Sequence, residues 1–309
     1  MSSINTNNSA MNALATLRGV NSSLNETQNR ISTGLKVSSG KDNAAYFAIS
    51  ETMKGDSGMT KAVNESLTLT KNSVATARLG AEQFSDLATE FRDKVAFAQE
   101  NQGGLDEIEA DLTRLVADMT AIMEQSTFNG DDLVNAGGGG ASGDSAFAAD
   151  GTYTAETTPS AAAADRSVIT GISRDTAGTL QTTTITVSPV DLNAQREMFD
   201  AIATGFAAKA GSATGDTYLS TVLAASDTAA QATVDAATSL GQSEKSIERQ
   251  QEFLTKLSDN LDAGVGAMVD ANMEEEAARL QALQVQQQLA SQSLSIANQA
   301  PQNILSLFR

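Results

Sequence analysis

The side chains able to do acid, base or nucleophilic chemistry in this 309-residue chain are those of Ser, Thr, Tyr, Lys, Arg, Asp and Glu, because it holds neither His nor Cys. That removes the usual zinc ligands and the commonest general base. Enzymes can work with Ser, Lys and carboxylates alone, but this composition argues against one. The Gly137-Gly138-Gly139-Gly140 run is not followed by Lys-Ser/Thr, so it lacks the form of a phosphate-binding loop and reads as a plain loop. No cofactor or metal is implied. The polar residues with a definable task are structural: Asp42 and Asn43, placed to cap a helix, and Glu274-Glu275-Glu276, placed where a helix dipole favours negative charge.

The charge pattern points the same way. The net charge is -18, yet no charged residue occurs from Met1 to Leu17 or from Leu280 to Phe308. Residues 1–40 sum to +2 and 280–309 to +1, so 41–279 carry -21. An acidic chain without basic clusters is a poor partner for nucleic acid. No apolar run approaches membrane-spanning length, so membrane insertion is not expected. The opening MSSINTNNSAMNALATL has no basic n-region, apolar run or cleavage box, so a general secretory signal is not expected. Two neutral, Leu-spaced ends around an acidic middle suit each other, or copies of themselves.

What must position these ends is a set of helices. In RISTGLKVSSGKDNAAYFAIS, residues 30–50, Gly34 can take a left-handed conformation and stop one helix. Asp42 or Asn43 can then cap a second that starts at Ala44. Gly34, Gly40, Asp42 and Asn43 are thus the connector residues. Ala10, Leu17, Leu24 and Ile31 recur every seven residues, with Leu14 and Leu35 on the neighbouring row and Asn21 and Gln28 interrupting, which reads as a coiled-coil seam with register-setting polar positions. Val63, Leu67, Thr70, Val74, Ala77, Ala81, Phe84, Ala88, Phe91, Val95 and Ala98 form a longer stripe, continued from Leu105 to Ile122 after Gly103-Gly104. Leu240, Ile247, Leu254 and Leu261 form another. The last helix runs through Leu280, Leu283, Leu289, Leu294 and Ile296, and Pro301 is expected to stop it.

Between the long helical stretches, residues 131–166 read as an irregular surface segment rich in Gly, Ala, Ser and Thr. Residues 167–188 hold two β-branched runs around Asp175-Thr176-Ala177-Gly178, the pattern of a hairpin. Residues 191–225 read as helical or mixed.

Several of these stretches together carry a family resemblance. INTN at 4–7, ISTGLKVSSGKDNAAYFAI at 31–49, STFNG at 126–130 and SLSIANQAPQNILSLFR at 293–309 resemble the bacterial flagellins over roughly the first 130 and last 80 residues. The resemblance implies a mainly α fold, with long coiled-coil helices from both chain ends forming an inner core and a rod-like helical bundle, plus a β-hairpin and a small irregular or β surface segment in the middle. The inner core would be 1–40 and 272–309, the rod 41–135 and 167–271, and 136–166 a variable exposed segment. The outgoing crossing would be 34–43 and the return 264–272. Core packing in a filament would fall to Leu14, Leu17, Leu24, Ile31, Leu35, Leu283, Leu289, Leu294, Ile296, Ile304, Leu305 and Leu307.

The family's biology would make the chain a homo-oligomeric, extracellular filament subunit. It would be exported unfolded through the flagellar type III apparatus, covered beforehand by an export chaperone, and assembled against cap and hook-filament junction proteins. Members sensed by the mammalian Toll-like receptor present an arginine, a leucine and an acidic residue; the matching positions are Glu90, Lys94 and Asp111, which implies weak or no recognition, unless Arg92 replaces the lost arginine. A hook-filament junction adaptor is the alternative, and the C-terminal NQAPQNILSLFR and the N-terminal INTN favour the filament subunit. A metallopeptidase insert, carried by some family members, needs H-E-x-x-H, which a chain without His cannot form.

Overall fold

The computed structural model describes residues 7–135, 145–154, 164–176 and 179–307, with side chains as far as Gln299. Seven helices are described: α1 (Asn8–Thr33), α2 (Ala44–Glu100), α3 (Leu105–Gln125), α4 (Leu192–Ala203), α5 (Phe206–Ala210), α6 (Gly215–Val269) and α7 (Met273–Leu307). Two small antiparallel ribbons accompany them, β1 (Ala146–Phe147) with β2 (Tyr153–Thr154) and β3 (Arg166–Arg174) with β4 (Leu180–Val187). Among the described residues no helix is long and apolar enough to cross a membrane. The mainly α architecture with a strand-bearing middle agrees with the fold class read from the sequence.

The chain makes two compact units, Met59–Leu257 and Met1–Gly58 with Ser258–Arg309. The core of the first follows the stripe read from the sequence: every residue of it, from Val63 to Ala98, is buried in α2. Ile108, Leu112, Leu115 and Met119 of α3 join it, as do Phe199 and Ile202 of α4 and Leu240, Ile247 and Leu254 of α6. Phe199 meets Phe91 at 4.8 Å and Phe84 at 6.4 Å between ring centres, tilted as aromatic quadrupoles prefer. The helix break at 101–104 is closed by Gly104, whose φ of 94° is left-handed.

The hairpin pairs Arg166 with Val187 through Arg174 with Leu180, with an irregularity between Ile169 and Gly171. Asp175 Oδ1 accepts from Thr179 N at 2.9 Å and closes the turn; Ala177-Gly178 at its tip lie outside the described residues, as do Gly137–Gly140 and Pro159.

In the second unit, two expectations change. The return connector was expected over 264–272, but α6 stays helical to Val269, leaving 270–272 as the turn. Gly264 lies inside α6, where a Cβ would come within 2.8 Å of Met53 Cε, so the glycine serves close packing there and not a turn. Pro301 was expected to stop the last helix, yet the backbone stays helical to Leu307. In the first unit, the span 191–225 read as helical or mixed holds α4, α5 and the start of α6 at Gly215.

Candidate assembly surface

The site that the sequence assigned to packing is built from α1 and α7. The helices run antiparallel, as three cross-helix contacts fix: Asn7 Nδ2 donates to Ala297 O at 2.7 Å, Gln287 Nε2 to Asn21 Oδ1 at 2.7 Å, and Arg30 Nη1 to Glu276 Oε1 at 3.3 Å. Of the two polar positions expected to set register, Asn21 thus makes a cross-helix hydrogen bond, while Gln28 faces out. On α1 the covered row is Ala10, Ala13, Leu17, Val20, Leu24, Thr27 and Ile31, in steps of three and four. On α7 it is Glu276, Leu280, Leu283, Gln287, Ala290, Leu294 and Ala297. Such alternating steps keep one face of each helix against its partner at a shallow angle.

Of the packing residues read from the sequence, Leu17, Leu24, Ile31, Leu283 and Leu294 therefore lie in this seam. Leu14 does not: it is 37% exposed, on the flank of α1. Leu289 and Ile296 are 60% and 63% exposed and, with Val285, form a row on the face of α7 opposite the seam. The side chains of Ile304, Leu305 and Leu307 lie outside the described residues. α7 thus carries apolar rows on two opposite faces, of which α1 covers one. Burying one such aliphatic side chain is worth about 1.5–3 kcal/mol, so a row of three supplies several.

Charge inside the pair is confined to one end. Glu276 is buried, its Oε1 shared by Arg30 at 3.3 Å and Arg279 at 3.6 Å, and its Oε2 has no hydrogen-bond partner. Arg30 also holds Glu26 at 2.6 Å. The pairing was not read from the sequence, though Arg30 and the Glu274-Glu275-Glu276 triplet were its visible signals.

The connectors at this end of the pair are joined by backbone. Gly34, with φ 72°, caps α1 through its N–H to Arg30 O at 2.8 Å. Its own carbonyl accepts from Ala271 N at 2.8 Å, and Lys36 N donates to Val269 O at 2.6 Å, with Leu35 opposite Asp270 in an antiparallel bridge. Val37, Val265 and Val269 close a small apolar cluster over the bridge, with Leu35 and Phe47 against it. Of the two cap candidates, Asn43 takes α2: its Oδ1 accepts from Ala45 N and Tyr46 N, both at 3.1 Å. Asp42 turns back instead, its Oδ2 accepting from the N–H and hydroxyl groups of Ser38 and Ser39 at 3.0–3.1 Å. Hydrogen bonds from Ser38 and then Ser39 hold that carboxyl below its ordinary value of 3.8. Gly40 lies in the same exposed turn.

The receptor-contact positions fall in the first unit. Glu90 is exposed on α2. Lys94 Nζ lies 2.6 Å from Asp111 Oδ2, tying α2 to α3 and lowering the Asp111 pKa through that hydrogen bond and the lysine's charge. Arg92 is held by Asp93 at 3.0 Å and by Asp227 of α6 at 3.1 Å.

Residues 4–137 match a family model described as the bacterial flagellin N-terminal helical region, and 223–308 one described as the bacterial flagellin C-terminal helical region. The chain belongs to the flagellin family. It is 36% identical to a flagellin of Brucella melitensis, 34% to Flagellin C of Rhizobium meliloti and 33% to Flagellin FljM of Caulobacter vibrioides. Each alignment covers all of this chain and 99–100% of the relative. The two family regions hold α1, α2, α3, most of α6 and α7, while the strands, α4 and α5 lie between them. The family match therefore falls on the helices that form the paired ends and the long buried stripe.

Proposed function

We propose that this flagellin polymerises into the flagellar filament through α1 and α7, with the row Val285, Leu289 and Ile296 buried against neighbouring copies. That uncovered apolar row, on the uncharged stretch of α7 from Leu280 onward and opposite the face already paired, is the observation that carries the reading. In this reading 1–40 and 272–309 are the inner core, 41–135 and 167–271 the rod, and 136–166 the solvent-facing segment. The connectors 34–43 and 270–272 lie where the chain crosses between core and rod.

The same row explains the handling of the subunit before assembly. In the free chain α1 and α7 cover only one face of each other, which offsets conformational entropy in part, so the ends complete their folding on binding. An export chaperone covers α7 until then, the subunit leaves by the flagellar type III route, and cap and junction proteins bound the growing polymer. Support for these steps is the open row and the family. The protein is structural and extracellular in this account, and its acidic middle keeps copies soluble.

Negative-stain electron microscopy tests it, comparing the full chain after seeding with a chain trimmed to residues 41–271. Long filaments from the first alone are the expected result; equal polymerisation of the trimmed chain refutes assembly through the ends. Receptor signalling is weak or absent in this reading, because Glu90 reverses a charge, Lys94 is engaged by Asp111, and Arg92 is engaged by two aspartates. A cell reporter for the receptor responding to this protein as strongly as to a flagellin with the arginine-leucine-acid set would overturn that part.

A further inference from the structure

A proline inside a helix has no N–H to give the carbonyl four residues earlier. Pro301 lies inside α7, and the carbonyl so affected is that of Ala297. Asn7 Nδ2 donates to this Ala297 carbonyl at 2.7 Å, across 290 residues of sequence. The other end of the same amide, Oδ1, accepts from Ala10 N at 3.0 Å and caps α1. A carboxamide carries a donor group and an acceptor on one short side chain, so Asn can do both at once; Ser, Thr and Asp cap helices as well but have no amide donor for the second bond.

We propose that Asn7 is the register residue of the α1/α7 pair, supplying to Ala297 the hydrogen bond that Pro301 withholds. Elsewhere along a regular helix each carbonyl already has its donor, so α7 offers one vacant acceptor at the level of Ala297. A pairing slipped by one turn moves Asn7 by about 5.4 Å, out of reach of it. The Asn21–Gln287 bond would be lost in the same slip. Heptad spacing alone accepts several registers, since each seven-residue shift puts leucine over leucine; a single gap matched by a single donor accepts one. The proposal deepens the reading of α1 and α7 as the assembly unit and rests on it.

The test is a cycle of full-length chains: wild type, Asn7→Ser, Pro301→Ala, and both together, each read as the critical concentration for seeded polymerisation. Asn7→Ser keeps the cap and loses the second donor, and is expected to raise the critical concentration about fivefold, the worth of one such bond. Pro301→Ala restores the N–H within α7, so the same Asn7→Ser change then has little or no effect. Asn7→Asp, similar in shape but without a donor, behaves as Asn7→Ser does. An equal penalty in both backgrounds overturns the proposal and leaves Asn7 as a cap only. If Pro301→Ala does not polymerise, Pro301→Ser supplies the same N–H; failure of both with seeds also overturns it. A wild-type chain that forms no filament refutes the assembly reading instead, and the control sample reveals that before any variant is compared.

Discussion

Removing Arg30 is the sharpest perturbation of the paired ends. Glu276 has a side chain only 7% accessible, Arg30 one that is 23% accessible, and their charged atoms lie 3.3 Å apart. Deleting one partner of a fully buried pair costs about 3–5 kcal/mol, because the other charge is left desolvated. Here Arg279 remains 3.6 Å from the same Oε1, so Arg30→Met is expected to cost about 2 kcal/mol, or about a thirtyfold rise in critical concentration. Glu276→Gln strands less, because Arg30 keeps Glu26 at 2.6 Å; about 1 kcal/mol, or fivefold, is expected. The double variant removes both charges and leaves no buried unpaired ion, Glu26 being exposed, so it costs no more than Arg30→Met alone. Sedimentation of seeded filaments over a concentration series measures all four. The difference persists at high salt, since a partly buried pair is screened less than a surface one. Penalties that simply add in the double variant would refute the coupling on which the estimate stands.

Three further outcomes are expected. Phe199→Ala, in contact with Phe84 and Phe91 and fully buried, costs about 3–5 kcal/mol in urea unfolding of the full chain, and leaves the α1/α7 contacts untouched. Gly34→Ala costs about 1–2 kcal/mol through its φ of 72° alone, because a Cβ there meets nothing within 4 Å; Gly34→Asn, which tolerates that conformation, costs less, and equal losses in thermal melts would refute the backbone account. The pKa values of Asp42 and Asp111 are depressed in the fold, so their contribution is fully present above the ordinary value of 3.8 and disappears as pH falls through the lowered values. Melting temperature should therefore drop below about pH 4, and Asp111→Asn should flatten that drop.

The long stripe of α2 was legible because burial there obeys a single period: a residue that recurs on one face of a helix needs one apolar partner surface. The same arithmetic could not separate Leu283 from Leu289, since periodicity reports that a face is apolar and not which neighbour covers it. The connector was legible in part. Gly34 and Asn43 act through their own next residues, and local chemistry names them. Asp42 was ambiguous because Ser38 and Ser39 compete with the helix start for the same carboxylate. The backbone bridge from Leu35 to Asp270 leaves no mark on side-chain types at all. Pro301 misled for a related reason: the rule that proline ends a helix assumes the freed carbonyl has no other donor, and here the donor stands at Asn7, at the far end of the sequence.

The covered face of α1 has its partner far along the chain, across as many as 290 residues of sequence. Leu17, Leu24 and Ile31 are sheltered by residues from Glu276 onward, and the Ala297 carbonyl that meets Asn7 comes later still. A copy cut short before Met273 therefore keeps α1 but leaves its covered face with nothing to close on. Pairing the two helices makes the presence of α7 a condition for closing α1, so a filament assembled through the pair would exclude copies cut short before it without any separate inspection step.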